Sequence, residues 1–81
     1  MKEADINQKI KEIFIDIFPE LKKEKFNFNK RQEEFENWDS FSHMELVARI
    51  EEVFGITMDI VKIINSNSPK LFVDIIKNSF K

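Results

Sequence analysis

Cysteine is absent from the 81-residue sequence, and its absence excludes several kinds of site. Without a thiol the chain has no disulfide, no thiolate metal ligand and no cysteine nucleophile. Histidine occurs once, as His43, so a site built from several histidines is excluded as well. The single glycine, Gly55, rules out a glycine-rich phosphate loop. The sequence therefore offers few means of assembling a catalytic centre.

Long apolar runs and loop-forming residues are also scarce. No stretch reaches the roughly 20 apolar residues of a membrane-spanning helix, and the first residues are charged where a signal peptide is apolar. We therefore expect a cytoplasmic protein with no membrane span. One glycine and two prolines are few for a β-rich fold, while nine phenylalanines provide material for a core. The short length then predicts a single all-α domain over residues 1–81.

The first half of the chain contains one clear apolar pattern, followed by a segment in which the apolar residues show no helical periodicity. Apolar residues at steps of three and four predict a helix from residue 5 or 6 to about residue 18, and Pro19 ends it. Residues 20–39 are predicted to be a long loop with a short helical turn near residues 31–36. We expect its aromatic side chains to hold this loop against the helices: Phe26, Phe28, Phe35 and Trp38.

A second helix is predicted over residues 39–55. Asp39 is a favourable N-cap, and Gly55 is a typical C-terminal stop. A later start at Ser42 is the alternative, because Ser42 begins a capping-box pattern. We prefer the earlier start, which places Phe41 among the apolar residues of the helix. The predicted buried stripe consists of Leu46, Val47, Ile50, Val53 and Phe54.

Two further helices are predicted in the last third of the chain. A mostly apolar run at residues 57–64 predicts a brief third helix. A turn follows, and Ser68 as N-cap with Pro69 as first helical residue opens the last helix. The apolar stripe of this helix consists of Phe72, Ile75, Ile76 and Phe80. The complete prediction is a small four-helix bundle with a long loop between helices one and two and a short third helix.

Charge is unevenly distributed along the chain, although the net charge is only −2. Residues 33–59 contain eight acidic side chains and one basic side chain, whereas the segments on either side carry net positive charge. Such a concentration of negative charge repels nucleic acid and attracts basic protein surfaces. We therefore expect protein partners and no nucleic acid. The alternative is that these carboxylates form an ordinary solvated face.

Ser40 is the residue of this acidic region with the clearest chemical role. It falls in the first turn of the predicted second helix, away from the buried stripe, so its hydroxyl should be exposed. The free amides and positive dipole end of a helix N-terminus favour a phosphate group there. A catalytic triad of Ser40, His43 and Asp39 is unfavourable, because all three lie at one helix start. We expect His43 to be an exposed helix residue.

Residues 38–56 contain two short motifs at a fixed spacing. The chain reads Asp39-Ser40-Phe41 and then, along the same predicted helix, Glu51-Glu52-Val53-Phe54-Gly55-Ile56. This segment resembles the acyl carrier protein family, whose attachment motif is Asp-Ser-Leu, followed with matching spacing by a helix that ends in an acidic stretch and a Phe-Gly-Ile-like sequence. The order of the predicted helices is similar to the family over the whole chain. Phe41 in place of leucine departs from the usual motif, and Trp38 before Asp-Ser resembles specialised or peptidyl carriers.

The resemblance implies that Ser40 carries 4′-phosphopantetheine as a covalent cofactor. Cargo then travels as a thioester on the terminal thiol of this arm, and the protein is a carrier and not an enzyme. The resemblance also assigns recognition of partner proteins to the attachment segment and the helix after it: Asp39, Met44, Glu45, Ala48, Glu51 and Glu52. For Met44 the alternative is simple packing in the core.

The resemblance further implies which proteins visit the carrier. A phosphopantetheinyl transferase attaches the arm, an acyl ligase or acyltransferase loads it, and downstream synthase enzymes of fatty-acid or specialised acyl-chain biosynthesis remove the cargo. We expect the carrier to be a monomer. An aminoacyl carrier, peptidyl or D-alanyl, is the first alternative, and a non-carrier helical interaction module is the second. A helix-turn-helix DNA binder is less favourable, because its recognition helix should be basic.

Overall fold

Four α-helices and two short 3-10 helices make up the computed structural model, which describes residues 1–80. The α-helices are α1 (Glu3–Ile17), α2 (Ser40–Phe54), α3 (Ile60–Asn65) and α4 (Pro69–Ser79). The 3-10 helices, Pro19–Lys23 and Gln32–Glu34, lie in the loop between α1 and α2. No strand occurs in the described residues. The predicted all-α fold, with its long loop and short third helix, is confirmed.

The start of α1 lies earlier than the sequence predicted, at Glu3. The backbone amides of Asp5 and Ile6 donate to the Lys2 carbonyl oxygen at 3.0 and 3.1 Å, so that Lys2 is the N-cap residue. The helix ends before Pro19, as expected, because proline disfavours helical geometry in the residue that precedes it.

Both α3 and α4 begin at a side-chain cap. The Asp59 side chain accepts a hydrogen bond from the Lys62 amide at 2.9 Å, so α3 starts later than the predicted residue 57. The Ser68 hydroxyl accepts one from the Leu71 amide at 3.3 Å, and Pro69 is the first residue of α4, as predicted.

Within residues 1–80, no helix combines the length and the apolar character that crossing a bilayer requires.

Phe14 lies at the centre of an aromatic core. Its side chain is fully buried, and its ring lies 5.4 to 6.1 Å, between centroids, from five other rings: Phe18, Phe26, Phe35, Trp38 and Phe72. Four of these five rings come from the segment between α1 and α2, and the fifth comes from α4. The loop aromatics therefore hold the loop against the helices, as the sequence predicted. Full burial of one such side chain contributes about 1.5–3 kcal/mol.

Backbone hydrogen bonds tie the long loop to the start of α4. The Gln32 amide donates to the Asn67 carbonyl oxygen at 2.8 Å, and the Lys70 amide donates to the Phe28 carbonyl oxygen at 2.9 Å. Within the loop, Gln32 Nε2 donates to the Trp38 carbonyl oxygen at 3.1 Å. Backbone groups withdrawn from water need such partners. The chain that leads into α2 is thereby held in one position.

The buried faces of α2 and α4 are narrower than predicted. The predicted stripe residues that are buried or half-buried are Leu46, Val47, Ile50, Phe54, Phe72, Ile75 and Ile76. Val53 is 42% exposed and Phe41 is 78% exposed, so both predictions were wrong. Phe41 precedes Leu46 by five residues, so it lies roughly 140° around the helix from Leu46 and points away from the buried stripe. Phe80 is 45% exposed, also against prediction, because it follows the end of α4.

Candidate functional site

The start of α2 places Ser40 on the surface of the protein. Ser40 is the first residue of the helix, and its side chain is exposed. Asp39 is the N-cap residue, and its Oδ1 accepts a hydrogen bond from the Ser42 amide at 2.9 Å. The predicted start at Asp39 is therefore confirmed over the alternative at Ser42. This cap fixes the direction in which the chain enters the helix, and so places Ser40 in its first turn.

Hydrogen bonding to the carboxylate lowers the pKa of Asp39. The largest cause is the backbone N–H of Ser42, which donates to the charged form. Asp39 is consequently ionised at neutral pH, and its charge lies at the positive end of the α2 dipole. The charged form of Asp39, which accepts the hydrogen bond from the Ser42 amide, is therefore the form present at neutral pH.

The two serines of the first turn differ in their surroundings. The Ser42 side chain is half-buried, and its hydroxyl donates to the Asn37 carbonyl oxygen at 3.0 Å. The Ser40 side chain is exposed, and within the described part of the chain its hydroxyl donates no hydrogen bond. Ser40 is therefore the serine of this turn whose hydroxyl is accessible to another protein.

Exposed apolar side chains lie on α2 and on α3. On α2, Phe41 is 78% exposed and Met44 is 53% exposed, so Met44 is not a core residue. None of the α3 side chains is buried, and three of its apolar residues are 63% to 69% exposed. Large apolar groups grouped on neighbouring elements are characteristic of binding surfaces. We refer to these five residues together as the apolar surface: Phe41, Met44, Ile60, Val61 and Ile64.

Four predicted recognition residues are exposed along α2. Met44 and Ala48 follow Ser40 by four and eight residues, which places them roughly 40° and 80° from it around the helix. Glu45 and Glu52 are exposed as well. The structure thus brings the serine and two apolar side chains onto one side of α2.

Glu51 differs from the other glutamates of α2. Its side chain is half-buried, and its Oε2 accepts a hydrogen bond from the Met58 amide at 2.9 Å, which joins the end of α2 to the segment before α3. Arg49, the basic residue of α2, forms an ion pair with Asp16 of α1 at 3.2 Å. Glu51 therefore has a structural function besides its predicted role in recognition.

His43 is half-buried, so the prediction of an exposed residue was wrong. Its Nδ1 accepts a hydrogen bond from the Trp38 indole N–H at 3.0 Å, and its Nε2 lies 2.6 Å from the Ile63 carbonyl oxygen. Its ring also packs against Phe72 of α4, with 5.9 Å between the ring centroids. The sequence does contain a signal for this position. His43 precedes Ile50 by seven residues, which places the two on the same face of the helix.

These hydrogen bonds restrict the chemistry of the site. Both ring nitrogens of His43 are engaged with other residues, so neither is placed to accept a proton from the Ser40 hydroxyl. No group of three or more potential metal ligands occurs among residues 1–80. The Ser40 hydroxyl is therefore exposed and is not activated by His43.

The start of α2 thus combines an exposed serine hydroxyl, an ionised cap and exposed apolar and acidic side chains. Comparison of the chain with protein-family models, with curated proteins and with solved structures finds no match.

Proposed function

We propose that the protein is an acyl carrier protein that holds its cargo on 4′-phosphopantetheine attached to Ser40. The observation that supports this most strongly is the exposed Ser40 hydroxyl at the first turn of α2, within the segment that resembles the attachment motif. A phosphodiester on Ser40 would lie at a helix N-terminus, where backbone amides and the dipole favour negative charge. The Asp39 cap shapes this turn without engaging the Ser40 hydroxyl.

Attachment of the arm is a transfer from coenzyme A in which Ser40 is the acceptor. The Ser40 Oγ forms a bond to the phosphorus atom that bears pantetheine. The pyrophosphate bond breaks, the adenosine bisphosphate half leaves, and a base of the transferase takes the hydroxyl proton. Ser40 must enter the active site of another enzyme for this step, and its exposure at the end of a long loop allows it. The buried residues Leu46 and Ile50 keep the helix behind it in place.

The thiol of the attached arm then carries the cargo as a thioester, which is compatible with a chain that has no cysteine of its own. An acyl ligase or acyltransferase loads the arm, and downstream enzymes of fatty-acid or specialised acyl-chain biosynthesis take the cargo. These enzymes dock on the apolar surface and on the exposed carboxylates Glu45 and Glu52. Binding of this kind depends on electrostatic steering and permits rapid exchange of partners.

An aminoacyl carrier is the second candidate. Trp38 before the Asp39-Ser40 pair favours it, since a tryptophan there resembles specialised or peptidyl carriers. Both candidates use the same serine and the same arm, and they differ in the group that is loaded. Loading assays on the modified protein, with acyl-activating and with amino-acid-activating ligases, would separate them.

Incubation of the purified protein with coenzyme A and a broad-specificity phosphopantetheinyl transferase tests the proposal. Intact-mass measurement should show one phosphopantetheinyl addition to the wild-type chain. A carrier protein of known reactivity in the same tube controls for transferase activity. If that control is modified and this protein is not, the interaction-module alternative is favoured and the proposal fails.

Reversal of charge on α2 should slow modification without unfolding the protein. Glu45→Lys and Glu52→Lys are each expected to lower kcat/KM for the transferase by about tenfold at low salt, the lower end of electrostatic steering effects. The difference should vanish near 1 M salt, where the Debye length is only about 3 Å. The free energy of unfolding should change by less than about 0.5 kcal/mol, because exposed charges contribute little to folding.

Glu12→Lys is the matched control, since it makes the same change of net charge on an exposed residue of α1. This variant should be modified at the wild-type rate. Glu51 is unsuitable for the comparison, because a substitution there also breaks the hydrogen bond to the Met58 amide. Wild-type rates for both α2 variants at low salt would show that the acidic face is not the docking surface.

A further inference from the structure

The short helix α3 is attached to the rest of the protein with little burial of side chains. None of its residues is buried, although Ile63 packs partly against the core. A helix of this length is not stable by itself in water. Two buried residues fix the chain on either side of it, Met58 before it and Ser66 after it. Its own backbone is joined to α2 through His43.

The two hydrogen bonds of His43 determine which tautomer is present. The indole N–H of Trp38 can only donate, so Nδ1 of His43 must accept and carries no proton. Nε2 therefore carries the proton and donates it to the Ile63 carbonyl oxygen. That carbonyl lies in the last turn of α3, where it also accepts a hydrogen bond from the backbone amide of Ser66 at 3.4 Å. His43 thus joins three segments: the end of the long loop, the first turn of α2, and α3.

We propose that His43 is a positioning residue, which holds α3 beside the first turn of α2 so that the apolar surface forms one docking site next to Ser40. Phe41 and Met44 of that surface lie within two residues of His43, and its other members lie on α3. The consequence for docking rests on the proposed function, whereas the link to α3 does not.

The partner that fits this site is the phosphopantetheinyl transferase. Such an enzyme would offer an apolar contact region bordered by basic side chains, because Glu45 and Glu52 are exposed on the same helix. Loss of the His43 link would leave the Ser40 turn intact, since the Asp39 cap does not depend on His43 side-chain bonds. It would let α3 move between the fixed residues Met58 and Ser66, and the partner would lose part of its docking site.

Three variants separate positioning by His43 from a general loss of stability. His43→Leu removes both side-chain hydrogen bonds, while the leucine side chain still packs against Phe72. His43→Gln keeps an N–H donor at about the reach of Nε2, so it can restore the bond to Ile63. Ile10→Val is the stability control, because Ile10 is fully buried on α1 and lies outside α2 and α3.

The link to α3 is measured on the unmodified protein. His43→Leu should accelerate amide exchange in α3 by at least about tenfold relative to α1, which is the signature of local opening. It should also shift the indole N–H resonance of Trp38, the single tryptophan. His43→Gln should restore most of the α3 protection, and Ile10→Val should not affect α3 selectively. Wild-type exchange of α3 in the His43→Leu variant would overturn the proposal.

The docking consequence is measured with the transferase. His43→Leu should raise KM for the protein substrate by about tenfold and leave kcat within about twofold of wild type, because it removes binding and not chemistry. An equal rise in KM for Ile10→Val would overturn the proposal. If wild type itself is never modified, the proposed function fails instead, while amide exchange still decides whether His43 holds α3.

Discussion

Truncation of Phe14 to alanine is expected to lower the free energy of unfolding by about 3–5 kcal/mol, the range for removing a buried phenylalanine ring. Phe14 is fully buried, and five rings lie around it. These rings come from the segment between α1 and α2 and from α4, so they cannot fill the cavity left by the substitution without losing contacts of their own. A domain of this size has limited stability. We therefore expect a large fall in the midpoint of chemical denaturation, measured by circular dichroism.

Phe41→Ala is the matched control for this effect. It makes the same chemical change at a side chain that is 78% exposed. Its free energy of unfolding should differ from wild type by less than about 0.5 kcal/mol, as is usual for surface substitutions. Equal destabilisation by the two variants, or a wild-type midpoint for Phe14→Ala, would contradict the description of the core.

Ser40→Ala is expected to abolish phosphopantetheinylation completely, because the substitution removes the oxygen atom that forms the bond to phosphorus. The fold should survive, since the Ser40 side chain is exposed and the Asp39 cap uses the Ser42 amide. Intact-mass measurement after incubation with coenzyme A and the transferase checks this. Circular dichroism of the same sample shows whether the variant is folded.

Ser42→Ala is the control for the neighbouring hydroxyl. Its modification should match that of wild type, because the Ser42 hydroxyl is half-buried and is bonded to the Asn37 carbonyl oxygen. Loss of that hydrogen bond should cost about 0.5–1.5 kcal/mol of stability. Addition of the arm to a folded Ser40→Ala protein, or its loss in a folded Ser42→Ala protein, would place the attachment site elsewhere.

Both ends of α2 and the start of α4 could be predicted from the sequence because they depend on local chemistry. Asp39 and Ser68 each accept a hydrogen bond from an amide three residues further along the chain. Gly55 adopts a left-handed backbone with φ of 66°, a conformation that is strained for residues with a β-carbon. The position of Ser40 at the start of α2 followed from the same local signals.

Which side of α2 contacts the core could be predicted only in part. Leu46 and Ile50 were placed correctly, since they repeat at helical spacing. The prediction for Phe41 is wrong, because the angle of a residue around the helix, and not its hydrophobicity, decides which side it lies on. The prediction for His43 is wrong because Trp38 and the Ile63 carbonyl of α3 satisfy both ring nitrogens, so that this polar side chain can be half-buried.

The acidic character of residues 33–59 was evident in the sequence, but the use of each carboxylate was not. Glu51 and Glu52 are adjacent, yet only Glu52 is exposed, while Glu51 accepts a hydrogen bond from the Met58 amide. The partner of Arg49 is likewise on another helix, at Asp16. Such pairings depend on how the helices pack, and local sequence contains no record of them.

Location of the modified atom tests the central proposal most directly. Trypsin releases residues 32–49 as one peptide that contains both Ser40 and Ser42. Fragmentation of this peptide from the transferase-treated wild-type protein separates the two serines at Phe41. The proposal predicts that the phosphopantetheinyl mass is present on every fragment that includes Ser40 and absent from fragments that include only Ser42. An unmodified peptide, or the added mass on Ser42, would contradict it.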